Sequence, residues 1–297
     1  MGLGDVLGQG FAISSLRSAL RSGKVATAYL LHGPAGVGKR KAALTFAKAL
    51  NCSQASGEAC DVCLNCRRID RGTHPDVVTV GVLPGKTRLL IEQVKEIEHE
   101  LSLAPFEARK RVYIIDQVEL MSPEATGAVL KTLEEPPANT VFLLLTEQPA
   151  ALAPTIVSRC QSLRFTPLGK ETVQTILEKN GISREVAAIA SRFAQGSVER
   201  ALSFEHNAFL ERRRQLVDLY YSASVDDITS LSEAVSEVVG NKGRDVPSKE
   251  SRKRRVSQTL EIMLSWCRDV LMARCGSPQT LFANEDMADE IKEEASR

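Results

Sequence analysis

The chain has 297 residues, enough for about two domains, or three small ones, around a sizeable core. Its 38 Lys and Arg against 37 Asp and Glu leave a net charge of +1, so no whole-molecule field draws it to nucleic acid or acidic lipid, and any such contact must come from a local patch. No apolar run is longer than five residues and the N-terminus carries no basic-then-apolar leader, so a soluble cytoplasmic protein with no membrane partner is expected.

In chain order, the first apolar run is Ala28 to Leu31. It leads into Gly33-Pro34-Ala35-Gly36-Val37-Gly38-Lys39, which fits G-x-x-x-x-G-K, with a helix expected from about Arg40. Gly33, Gly36 and Gly38 let backbone N–H groups close around phosphate oxygens at a helix N-terminus, and Lys39 would reach the β and γ phosphates of ATP. A Ser or Thr should come next to hold Mg²⁺, but Arg40 and Lys41 stand there. The following excursion holds Cys52, Cys60, Cys63 and Cys66, the last three spaced C-x₂-C-x₂-C. Four thiolates suit one tetrahedral, closed, structural zinc. A ferredoxin run would continue with x₃-C-P, whereas Arg67 and Arg68 follow, so an iron–sulfur cluster is not expected. Seven cysteines, an odd number with four of them clustered, also argue against a secreted disulfide framework.

Further apolar runs cover Val77 to Val80, Val112 to Ile115, Val141 to Leu145 and Leu163 to Phe165. Helical segments separate them, which predicts a mostly parallel sheet covered on both faces. The run at Val112 ends in Asp116, the acidic second half of a phosphate site, followed by Gln117. A helix should begin at Pro123, with Ala125, Ala128, Val129, Thr132 and Leu133 on one stripe, and end at Pro136-Pro137. Thr146 closes the next run, and Arg159 lies just before the last one.

Beyond Pro167 the strand signals stop. Short helices are expected over Glu171 to Lys179 and Val186 to Ala194, closed by Gly181 and Gly196. From Glu205 longer amphipathic helices follow, the clearest with Val256, Leu260, Met263, Leu264, Cys267 and Leu271 on one face. The class is therefore α/β, divided as 1–166, 167–204 and 205–297. Gly240 to Ser251 reads as a mobile loop, Arg252 to Arg255 as a solvated helix start, and Glu285 to Glu294 as solvated surface. Cys267 and Cys275 read as core thiols, and His32, His74, His99 and His206, which show no ligand spacing, as structural.

Arg111 to Phe165 resembles the clamp-loader AAA+ ATPases of bacterial replicases, through Leu130-Lys131-Thr132-Leu133-Glu134-Glu135-Pro136-Pro137 and Ser158-Arg159-Cys160; the likeness also covers Asp5 to Cys66 and extends more weakly to about Ala201. The resemblance implies an AAA+ P-loop domain, a small helical lid domain and a C-terminal all-helical collar. It carries the zinc ligands onto the four clustered cysteines. It makes Thr146 the residue that senses the γ-phosphate, and Arg159 an arginine projected in trans into a neighbour's ATP site. Motor subunits of this family carry Thr after the lysine, Glu after the aspartate and a sensor arginine; here those positions are Arg40, Gln117 and Glu199. An amide can hold a water but cannot accept its proton. The departures imply a non-hydrolysing stator subunit. The family's partners would be gamma/tau and delta subunits, with the sliding clamp and primer-template DNA reached through the complex. The readings set against this are a working motor-type ATPase, which those three residues oppose, and a zinc-dependent DNA-binding module, which near-neutral charge opposes.

Overall fold

The computed structural model describes residues 2–54, 57–101, 105–204, 206–222 and 249–296, and these divide into two compact units. The first comprises Met1–Thr172 with Gln195–Glu199, the second Val173–Ala194 with Arg200–Arg297. Among the described residues no helix is long and apolar enough to cross a membrane.

The first unit is built on five parallel strands: β1 (Ala28–His32), β2 (Val77–Val80), β3 (Arg111–Ile115), β4 (Thr140–Thr146) and β5 (Gln161–Arg164). Their spatial order is β2-β3-β4-β1-β5. Alternate residues enter opposite layers, as the period of two requires. Tyr29, Leu31, Val112, Ile114, Leu143 and Leu145 pack under α1 (Gly10–Ser22) and α2 (Lys39–Asn51). Leu30, Tyr113, Ile115, Phe142 and Leu144 pack on the other face. There they meet α4 (Ile91–Leu101), α5 (Pro123–Glu134) and α6 (Pro154–Arg159), while α3 (Leu64–Asp70) lies beside α2. Strands buried on both faces read as continuous apolar runs, which is why β1, β3 and β4 show so plainly in the amino-acid pattern, whereas β5 at the sheet edge buries only Leu163. The last one is shifted: Phe165 lies beyond β5 but stays in the core. The α5 stripe is as expected, with Ala125, Val129 and Leu133 buried and Ser122 accepting a cap bond from the Ala125 amide. The α/β class and the parallel P-loop sheet are thus observed.

α7 (Lys170–Lys179) and α9 (Val198–Leu202) each begin in the first unit and end in the second. The rest of the second unit is helical: α8 (Arg184–Phe193), α10 (His206–Ser222), α11 (Lys249–Arg274) and α12 (Ala288–Ser296). Val217, Trp266, Val270, Phe282, Met287 and Ile291 form one of its cores, and Phe209 is stacked on Phe204 and met edge-on by Phe193.

Three expectations are corrected here. The acidic stretch 285–294 is not free surface, because Glu285, Asp286 and Glu290 pair with Arg192, Arg213 and Arg214. Cys267 and Cys275 are exposed rather than core thiols. Residues 249–251, read as loop, belong to α11; the remainder of that stretch, 240–248, lies outside the described residues, as do the side chains of 252–254 in the basic run.

Candidate functional site

The carboxyl edge of the sheet gathers the phosphate-loop residues. His32 at the end of β1 is in register with Thr146 at the end of β4, and Asp116 directly follows β3. This is the edge at which parallel α/β sheets bind ligands. Gly33 leaves the sheet with its amide on the Thr146 carbonyl at 3.1 Å, so close to β5 that a Cβ would fall 2.1 Å from the Phe165 carbonyl oxygen. Gly36 has φ +68 and faces Ser197 and Glu199, which a Cβ would strike; its carbonyl accepts the Val198 amide at 2.9 Å. Gly38, with φ +100, is the left-handed N-cap of α2.

Gln9 anchors the loop from outside. Its buried amide donates to the carbonyls of Val37 at 3.2 Å and Thr166 at 2.8 Å, and its Oε1 accepts the Thr166 amide. No periodic signal marks Gln9, whose partner lies 157 residues away along the chain.

Lys39 is only 8% exposed, and its Nζ donates to the carbonyls of Gly33 and Pro34 at 2.6 Å each. Burial pushes its amine below the ordinary lysine range, while Glu147, Asp116, Glu119 and Glu199 act in the opposite direction. Arg40 directs a guanidinium nitrogen to Asp116 at 4.0 Å. Asp116 also caps the Gln117 amide at 3.0 Å, and Gln117 sits at φ +54. The Thr146 hydroxyl, nearly fully buried, accepts the Gln148 amide at 3.0 Å. Gly33, Gly36, Gly38, Lys39, Asp116 and Thr146 therefore stand on one edge. Glu119, Glu147 and Glu199 join them there, and of these three only Glu199 falls at a motif position.

Arg159 ends α6 on a different part of the unit. Its Nη1 donates to the Thr155 carbonyl at 3.0 Å and its Nη2 to Glu134 at 2.7 Å, so the two family motifs meet in one ion pair.

The cysteine cluster is compact. The sulfurs of Cys52, Cys60, Cys63 and Cys66 lie within 4.8 Å of one another. A tetrahedral zinc with Zn–S of about 2.3 Å needs S···S separations of about 3.8 Å, so these residues fit the ion with little movement. The Cys63 amide donates to Cys60 Sγ at 3.3 Å, and the Cys66 amide to Cys63 Sγ at 3.5 Å. Burial opposes ionisation of Cys63, but donors from Cys66 and Ser53 lower its thiol to about 5, while burial and Cys63 raise that of Cys66. Lys48, buried on α2, ties the excursion down through Asp61 and, at 2.9 Å, Asp70. Farther along, buried Asp76 accepts the amides of Phe106, Glu107 and Ala108 at 2.8, 2.8 and 2.9 Å and faces Arg111.

A sequence model described as DNA polymerase III, delta subunit, matches residues 8–169. The DNA polymerase III subunit delta' of Bacillus subtilis is 34% identical over 69% of this chain and 62% of its own length. The tau subunit of Escherichia coli is 34% identical over 80% of this chain and 38% of its own. Among solved structures, a gamma-subunit-related protein of Thermotoga maritima aligns with 95% of this chain and 99% of its own at 15% identity and a TM-score of 0.42. The RuvB Holliday junction branch migration motor of the same organism aligns with 97% and 86% at 15% identity and 0.47. The glycine loop, Lys39 and Asp116 on the edge of a parallel sheet define a P-loop domain of the AAA+ class. The chain belongs to the clamp-loader family of DNA polymerase III subunits. It spans less than two thirds of the length of either relative.

Proposed function

We propose that the chain is a non-hydrolysing, delta'-type stator of the replicative clamp loader, divided as 1–166, 167–204 and 205–297 into AAA+, lid and collar parts. It joins gamma/tau and delta subunits in the cytoplasm, lends Arg159 to a neighbour's ATP, and so helps place the sliding clamp on primed DNA. One observation carries the reading: Lys39 remains, but Arg40 stands where the metal ligand belongs, Gln117 where the base belongs, and Glu199 against Gly36. A carboxylate there repels the γ-phosphate that an arginine would stabilise. Bound nucleotide would meet Gly33, Gly36, Gly38 and Lys39, and its chemistry in this chain would be binding rather than turnover. Zinc, held by Cys52, Cys60, Cys63 and Cys66, would close the excursion between α2 and α3 and leave no position for a substrate water.

Arg159 acts by position. A guanidinium offered in trans against a γ-phosphate stabilises charge that develops only in the transition state, which makes hydrolysis depend on correct assembly. Glu134 and the Thr155 carbonyl hold the guanidinium until a stronger anion replaces Glu134. A second reading, a gamma/tau motor, draws on the equal identity to tau. Steady-state ATPase of the isolated chain decides between them: the stator shows no turnover above background, and turnover that Lys39→Ala abolishes establishes the motor.

A further inference from the structure

In a P-loop site the hydroxyl after the lysine and the acidic residue at the end of the partner strand together hold Mg²⁺ on the β and γ phosphates. The residues here do not fit that ion. Arg40 offers five donors and no lone pair, so it cannot coordinate a cation. It also lies against the carboxylate that the ion would use, at 4.0 Å from Asp116 Oδ2. A divalent cation entering this position would find no hydroxyl ligand and a guanidinium beside its remaining carboxylate.

The glycine geometry of the cradle is kept, with Glu199 standing beside Gly36. Gly36 and Gly38 adopt positive φ, α2 begins at Lys39, and Gly33 occupies space that no other residue fits. Lys39 rests on two carbonyls that a phosphate oxygen would outcompete as acceptor for an ammonium. Lys41 is turned away to the Asp5 carbonyl at 3.2 Å, which leaves Lys39 and Arg40 as the cations of the loop. A guanidinium suits phosphate oxygens in bidentate geometry, and Arg40 is two-thirds exposed at the mouth of the loop, free to turn toward them.

We infer that Arg40 takes the place of the divalent cation: it neutralises Asp116 in the empty loop and pairs with the phosphates of a bound nucleotide, so this chain holds a nucleoside di- or triphosphate without Mg²⁺. The inference rests on the loop being the phosphate site proposed above but not on the stator role, since binding is read on the isolated full chain and assembly is not involved.

The test is titration of fluorescent N-methylanthraniloyl-ATP into the full-length chain, once with excess Mg²⁺ and once with EDTA. The expected dissociation constants agree within about twofold in the two arms. Arg40→Thr, which restores the hydroxyl, should bind about tenfold or more tightly with Mg²⁺ than with EDTA. Arg40→Ala, which supplies neither group, should lose about tenfold in affinity in EDTA; its exposed position keeps both variants folded, which circular dichroism verifies. Wild-type binding that weakens tenfold in EDTA, absence of binding in both arms, or an Arg40→Ala variant that binds like wild type would each overturn the inference.

Discussion

Lys39, Gln9 and Asp76 are each a polar group buried where only its partners make burial tolerable. An unpartnered buried donor or acceptor costs about 1–3 kcal/mol, and more when charged. For Asp76 the partners are three backbone amides and Arg111, so Asp76→Ala takes the acceptor from three amides and the carboxylate from a buried guanidinium that keeps the Glu100 carbonyl. Its expected cost is about 3–5 kcal/mol of unfolding free energy in urea titration. Burial opposes the Asp76 charge, but the amides and Arg111 outweigh it and hold the carboxyl below its ordinary 3.8. A depressed carboxylate stabilises the fold above its unfolded value and loses that contribution as pH falls through the folded one. Wild-type melting temperature should therefore fall steeply below about pH 4, and the Asp76→Asn variant should show a shallower fall over the same range. An equal slope in both would remove Asp76 as the cause. At the loop, Gly33→Ala sets a Cβ against the Phe165 carbonyl, where strand spacing leaves no room, and should destabilise by several kcal/mol even without ligand.

Elements with a regular pattern are legible in the amino-acid sequence: five apolar runs correspond to five strands, and the Pro123 helix has its expected cap and buried stripe. α11 shows where such reading fails. Its apolar row of Val256, Leu260, Met263, Leu264 and Leu271 is exposed, while Thr259, Ile262, Trp266, Asp269 and Val270 are buried. Periodicity detects an amphipathic helix but not which face its neighbours cover. Here the buried face includes Asp269, whose carboxylate accepts two bonds from Asn284 that no local pattern announces. The same blindness hides Gln9 and the pairing of Asp286 with Arg213, since both depend on distant segments. The cysteine excursion is legible because its spacing is local. Purified without chelator, the chain should carry one zinc per molecule, measured by atomic absorption. Cys66→Ser should lose the metal and lower the melting temperature, and a full zinc content in that variant would contradict the four-sulfur site.

Across the whole molecule, charge and exposed apolar surface have complementary meanings. A net charge of +1 gives little field for binding DNA alone, and the exposed row on α11 is suited to packing against protein. Leu264→Asp, on a side chain 69% exposed, should leave the melting temperature within about 2 °C yet abolish co-elution with gamma/tau and delta subunits. In the proposed division of labour, this chain supplies an arginine and its neighbour supplies the chemistry. The most direct measurement is DNA-stimulated ATP hydrolysis by the reconstituted complex carrying Arg159→Ala or Lys39→Ala in this subunit alone. Hydrolysis at the adjacent ATP site should fall about 10³-fold with Arg159→Ala and change less than twofold with Lys39→Ala. A Lys39→Ala complex that loses hydrolysis while Arg159→Ala retains it would make this subunit the motor and not the stator.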